Sequence, residues 1–174
     1  MIFLVPYRPE FLEFFVAWRG ETLTARHNPL KPMTTDEIRK MLEGEGSDLS
    51  DLKKYGAYRW FIESNGKIVG NVSVKNISHR MNYAEIGYGV GQSHHNQGIA
   101  TSAITTMINK AFSESSLRKL MAFVHDKNIP SCRVLEKLGF AREGLLREHY
   151  IINGLPENEV LYGLLKQEWR VVAE

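Results

Sequence analysis

The stretch YAEIGYGVGQSHHNQGIATSA, Tyr83 to Ala103, reads as a strand that turns through a polar, glycine-containing loop into the first turn of a helix. Such a turn points several backbone N–H groups and the positive end of a helix dipole at one spot. That spot suits a phosphate or pyrophosphate. Gly98 can take φ > 0 and admit a ligand close to the backbone. Asn96 is one of the few other residues that visits the left-handed region readily. Small Ala100 and Thr101 open the helix without blocking a ligand. The bland alternative is a plain strand-to-helix connection, and a lone glycine turn does not outweigh it. Neither GxGxxG nor GxxxxGKS/T is present, so the dinucleotide and nucleoside-triphosphate fingerprints are absent.

On the strand, Glu85, Gly87 and Gly89 share one face, and Ile86, Tyr88 and Val90 the other. Beyond the loop, Ala100, Ala103, Ile104, Met107, Ile108, Ala111 and Phe112 mark one face of a helix. Lys119 to His125 follows as a strand, which implies a right-handed crossover and parallel pairing. A helix from about Asn128 to Leu138 ends at Gly139, a good residue for the position after a helix. The last two strands, about Ala141 to Ile152 and Val160 to Lys166, are joined by a loop containing Asn153-Gly154.

Upstream, Tyr58–Glu63 and Lys67–Val74 flank Ser64-Asn65-Gly66, a strong hairpin signal. The resulting hairpin pairs antiparallel with Tyr83–Val90. Ile2 to Val5 reads as a short first strand. Phe11, Phe14, Phe15 and Trp18 recur at helical spacing after Pro9. A second helix begins near Thr34-Thr35-Asp36-Glu37, which supplies cap-type residues. The polar, glycine-flanked segment Gly44 to Gly56 is expected to be a mobile loop. These elements predict one α/β (α+β) domain over residues 1–174. Its mixed sheet is mostly antiparallel with one parallel crossover, and helices cover both faces.

The 174 residues, 43% hydrophobic and 24% charged, suit a single soluble domain with a substantial core. A net charge of +2 does not argue for nucleic acid. One cysteine, Cys132, excludes an intramolecular disulfide framework. Pro6 and Arg8 interrupt the first apolar run, and no run is long enough for a bilayer, so neither a signal peptide nor a membrane span is read. A reduced cytoplasmic setting is the expectation.

A second motif, NIPSCRVLEKLGFAREG, runs from Asn128 to Gly144. EIGYGV, the loop and ATSA, followed by this motif, resemble the GNAT family of acyl-CoA-dependent N-acetyltransferases. Glu85 to Gly163 matches best, and the ribosomal-protein N-terminal acetyltransferase (Rim-type) branch is the most similar. The resemblance implies the GNAT fold, acetyl-CoA as co-substrate and no metal. It also implies a pyrophosphate held by His95, Asn96, Gln97, Gly98, Ile99, Ala100 and Thr101, mostly through backbone N–H groups. The N–H of Val90 would polarise the thioester carbonyl, and Asn128 would face the pantetheine arm. The departures are His95 where Gln or Arg is usual, Asn96 where glycine is common and Gly89 where Trp is common. The amino-terminal third matches poorly.

Acetyl transfer from a thioester needs a neutral amine, a polarised carbonyl, aligned reactants and a stabilised thiolate. Glu85, followed by two glycines on its face, leaves a slot beside an acid and is the first choice of general base. The alternative is a strand Glu paired with Lys or Arg. Many GNAT enzymes place a Tyr acid at the position of Leu135, which cannot donate a proton. In the Rim-type branch the serine matching Ser131 is thought to assist the thiolate, so Ser131 is the choice here, with water as fallback. Tyr150 occupies the place of that branch's strand glutamate and is the third catalytic candidate. Glu148 has the same strand parity and could substitute. Cys132 is expected to be a buried helix residue, and the histidines to be solvated, with no metal-ligand pattern. The aromatic cluster is expected to be core, with one edge lining the acceptor pocket.

Three readings stand. The first is an N-acetyltransferase moving acetyl from acetyl-CoA to a protein N-terminus or a small amine by direct attack in a ternary complex. The second is a non-catalytic acyl-CoA-binding module, and the third an unrelated α/β domain with another phosphate ligand. No nucleic-acid or membrane partner is read. Relatives of this kind are monomers or homodimers.

Overall fold

Seven strands form one sheet: β1 Ile2–Val5, β2 Tyr58–Ser64, β3 Lys67–Ser78, β4 Tyr83–Val90, β5 Lys119–His125, β6 Ala141–Ile152 and β7 Leu155–Leu165. Five α-helices pack on it: α1 Leu12–Arg19, α2 Thr22–His27, α3 Thr35–Glu43, α4 Ile99–Glu114 and α5 Ile129–Lys137. This is a computed structural model, and it describes residues 1–170. The sheet order is β1-β2-β3-β4-β5-β7-β6. All neighbours run antiparallel except β4 and β5. Their parallel pairing covers only Tyr83–Glu85 against Lys119–Met121, and beyond Glu85 the two strands part. That opening in mid-sheet positions the functional site.

Strand β2 sends alternate side chains to two cores. Trp60 and Ile62 of β2 join the larger core under α4 and α5, while Phe61 between them joins Phe11, Phe15, Ile38 and Leu42 under α1 and α3. The stripe on α4 is buried from Ile99 to Phe112, as its periodicity requires. Each Ile, Met or Phe of the stripe contributes about 1.5–3 kcal/mol on burial. The start of α3 is a capping box: Glu37 N–H donates to Thr34 Oγ1 at 3.2 Å, and Thr34 N–H to Glu37 Oε2 at 2.7 Å.

Asn65 and Gly66 turn the first hairpin with φ of 50° and 72°, the left-handed pair that a two-residue turn demands. Asn153 and Gly154 do the same at 51° and 79°. The last hairpin is therefore tight, and β7 begins at Leu155 rather than Val160. The segment Gly44 to Gly56 is not a loose loop. Leu49 within it is buried, Gly46 exchanges backbone bonds with Ala57 and Arg59, and the Arg59 guanidinium holds Glu45 at 2.6 Å. Helix α2 has no counterpart among the elements expected from sequence. Among the described residues no helix is long and apolar enough to cross a membrane.

Candidate active site

The loop after β4 is shaped by two left-handed residues, Asn96 at φ 61° and Gly98 at φ 74°. Gly98 caps α4 and no side chain takes the N–H groups of the first turn. The first intrahelical bond recorded there is Ser102 N–H to the Gly98 carbonyl at 3.1 Å. The N–H groups of Ile99, Ala100 and Thr101 are thus free at the positive end of a sixteen-residue helix. A cavity of about 570 Å³ lies in front of them. Every cofactor residue expected from sequence lines it: Val90, His95, Asn96, Gln97, Gly98, Ile99, Ala100, Thr101, Asn128 and Ser131. His95 Nε2 donates to the Val90 carbonyl at 2.9 Å and clips the loop to the strand end.

Gly91 N–H bonds the Val69 carbonyl at 2.8 Å, on the β3 side. Bonding direction alternates along an antiparallel strand, so the Val90 N–H faces the opened side, toward β5. The face carrying Gly89 is not an open slot. A Cβ at Gly89 would lie 2.1 Å from Cζ2 of Trp18, so the indole of α1 sits against the strand there. Trp18 also lines the cavity, which joins the aromatic cluster to the site.

Asn128 caps α5 by accepting from Ser131 N–H at 3.4 Å. Ser131 Oγ lies 2.5 Å from the Tyr88 hydroxyl, and that hydroxyl also reaches the Ser131 carbonyl at 3.3 Å. Burial pushes the Tyr88 phenol well above its ordinary range, so it keeps its proton at neutral pH. Tyr88 was missed from sequence because only the tertiary fold brings β4 to the start of α5. Cys132 is buried beside it in the helix.

A second cavity of about 440 Å³ adjoins the first, and His27, Asn28, Tyr88, Asn128 and Ser131 line both. Glu85 and Tyr150 line only the second. Glu85 is held by Lys75 Nζ at 3.0 Å and by Asn76 Nδ2 at 2.6 Å, the ion-paired alternative. Glu148 does not substitute for a carboxylate at Tyr150. It is exposed, with φ 50°, inside a bulge between Leu146 and Tyr150 that breaks the assumed parity. The carboxylate that enters the cavity is Glu159 of β7, 1% exposed, with Oε1 unpartnered and Oε2 3.5 Å from His149 Nε2. Burial first, then the charge of Glu85, pushes its carboxyl up to about 7.

Two histidines depart from the solvated expectation. His125 at the end of β5 is 4% exposed, and its Nδ1 lies 2.9 Å from His27 Nδ1. His125 Nε2 faces Glu157 Oε2 at 3.4 Å and Asp126 Oδ1 at 3.7 Å. Lys127 Nζ bonds the same Glu157 oxygen at 2.5 Å, and Asn158 Nδ2 bonds Asp126 at 3.1 Å. No spacing in the sequence joins His27 to His125.

A family model described as acetyltransferase (GNAT) domain matches residues 2–141. An uncharacterized N-acetyltransferase p20 of Bacillus licheniformis is 29% identical over 123 residues, 71% of this chain and 69% of that protein. A probable N-acetyltransferase YjcK of Bacillus subtilis is 35% identical over 109 residues, 62% of this chain and 60% of that one. Among solved structures, Mycobacterium smegmatis RimJ in complex with CoA-disulfide superposes with a TM-score of 0.84 at 25% identity. That match covers 96% of this chain and 83% of RimJ.

Proposed function

The chain belongs to the acetyltransferase (GNAT) family, and from that premise we propose that it moves an acetyl group from acetyl-CoA to a primary amine. The N-terminus of α4, whose first N–H groups meet no side-chain cap and open on the gap between β4 and β5, carries this reading. The pyrophosphate of CoA sits on the N–H groups from Gly98 to Thr101, where the helix dipole favours anions. The pantetheine arm runs past Asn128 into the gap. The thioester then lies where the two cavities meet, with its carbonyl oxygen on the Val90 N–H.

The amine enters from the second cavity, where the Glu85 carboxylate gives the wall a negative charge suited to a cation. Its lone pair attacks the carbonyl carbon, the C–N bond forms and the C–S bond breaks. The departing thiolate meets the Tyr88–Ser131 hydroxyl pair. Burial keeps Tyr88 protonated, so the pair supplies a proton that Leu135 cannot. Glu85, already bonded to Lys75 and Asn76, orients the acceptor rather than acting as a free base. Tyr150 stands in the wall of the same cavity and contacts the acceptor. The acceptor is a protein N-terminus or a small amine.

Thermal unfolding with acetyl-CoA, CoA and NAD tests the cofactor, since a ligand of the native state raises the midpoint. A rise with both CoA species and none with NAD is expected. An amine panel with thiol detection follows. Thiol release dependent on an amine supports the enzyme, whereas a midpoint rise without release by any amine favours a non-catalytic acyl-CoA-binding module.

A further inference from the structure

His27 and Tyr88 are the two titratable side chains shared by both cavities, so each stands where thioester and amine would meet. Tyr88 is committed to Ser131. His27 is committed at one nitrogen only. Its Nδ1 is 2.9 Å from His125 Nδ1, and one proton lies between them.

The surroundings of His125 decide which ring owns that proton. His125 Nε2 is buried and faces the carboxylate oxygens of Glu157 and Asp126 at 3.4 and 3.7 Å. A bare lone pair there would oppose two negative charges, so Nε2 carries hydrogen. With its hydrogen on Nε2, His125 offers its lone pair at Nδ1, and His27 donates from Nδ1. The Nε2 of His27 is left as a lone pair. Four elements cooperate in this: the end of α2, the end of β5, the turn after it holding Asp126 and Lys127, and β7 with Glu157 backed by Lys127.

We infer that His27 Nε2 is the general base of the acetyl transfer, and that His125 with Glu157 is a positioning pair that fixes its tautomer and shares its charge. This rests on the acetyltransferase reading above. The acceptor ammonium passes one proton to His27 Nε2, and the freed amine attacks the carbonyl carbon. As the C–S bond breaks, its electron pair stays on sulfur. The second proton lost by nitrogen reaches that thiolate through the Tyr88–Ser131 hydroxyls, and His27 returns its own to solvent. His125 faces the His27 ring and the charge of Arg26 acts on it, with Glu157 and Asp126 behind His125. Burial, followed by His125 and Arg26, lowers the His27 pKa, so the ring is neutral at neutral pH.

The test has two readouts on the full chain. Long-range proton–nitrogen NMR of imidazole-labelled protein reads the tautomers without any turnover. A His27 with protonated Nδ1 and bare Nε2 is expected in wild type, and loss of that fixed state in His125→Gln. A His27 protonated at Nε2 in wild type overturns the inference. In the amine assay, His27→Gln is expected to lower kcat about 10²–10⁴-fold. The acetyl-CoA thermal shift should be retained, and added imidazole should restore part of the rate to His27→Ala. His125→Gln is expected to move the acidic limb of the kcat/KM profile. A His27→Gln enzyme within twofold of wild type at every pH overturns the inference. If wild type acetylates no amine, the acetyltransferase reading fails and so does His27 as its base, while the NMR still separates the histidine arrangement from that failure.

Discussion

The loop from Val90 to Thr101 and the cavity holding Glu85, Glu159 and His27 adjoin each other but are built on opposite plans. The loop presents free backbone N–H groups from one continuous segment, and its side chains are mostly exposed. The adjoining cavity works through side chains delivered by α2, β4, β5, β6 and β7. The first plan tolerates His95 and Asn96 at unusual positions, because a peptide N–H is the same whatever residue carries it. The second plan does not, because each group has its own proton affinity and reach. On the proposed reading, recognition of CoA and choice of acceptor therefore rest on different kinds of atom.

The sharpest break of that contrast is Gly98→Val. A β-branched residue at φ 74° costs about 1–3 kcal/mol of backbone strain and also blocks the ligand's approach to the helix end. The acetyl-CoA thermal shift is expected to vanish. An unchanged shift would mean that the loop does not bind CoA.

Next in size is Glu159→Gln, read by pH. The folded carboxyl is pushed up to about 7 from its ordinary 4.5. Between those values the folded state holds a proton that the unfolded chain has released. Stability contributed at pH 4 is thus lost as pH rises through that window. Glu159→Gln should gain up to about 3 kcal/mol over wild type at pH 8 and almost nothing at pH 4. Equal differences in unfolding free energy at both pH values would contradict a neutral buried Glu159.

Ser131→Ala and Tyr88→Phe each remove one hydroxyl of the proton-donating pair. Losing a hydrogen bond to a developing thiolate costs about 1.5–3 kcal/mol, roughly ten- to hundredfold in kcat. KM for acetyl-CoA should stay near its wild-type value in steady-state kinetics. A change confined to KM would make the pair a binding feature instead.

The smallest effect sharpens the contrast from the other side. Gln97 lies in the loop, and its side chain bonds only the Ser93 carbonyl, at 3.3 Å on the surface. Gln97→Ala should change acetyl-CoA Kd by no more than about 0.5 kcal/mol by calorimetry. A tenfold loss would show that side chains, not the backbone, hold the cofactor.

Most strands were legible from alternation, and the first tight hairpin from Asn65-Gly66. The one strand start read too late, at Val160, failed because Leu155–Glu159 alternates poorly and Pro156 masks it. Helix α2 escaped because six residues give too little periodicity. Its loss hid His27 with it. The polar stretch from Gly44 to Gly56 read as mobile because composition does not reveal that Leu49 is buried and Glu45 is held by Arg59.

By itself, the sequence determined the shape of the loop after β4, since strand, left-handed glycine, helix start and Asn128 cap all depend on neighbours within a few residues. It also determined the two apolar faces that close the sheet between helices. Only the tertiary structure decided which side chains meet across the gap between β4 and β5. Tyr88 finds Ser131, Glu159 loses its solvent, and His27 finds His125 through contacts between residues far apart in the chain. Backbone recognition is a local property, whereas proton affinity is set by whatever the fold brings within a few ångströms.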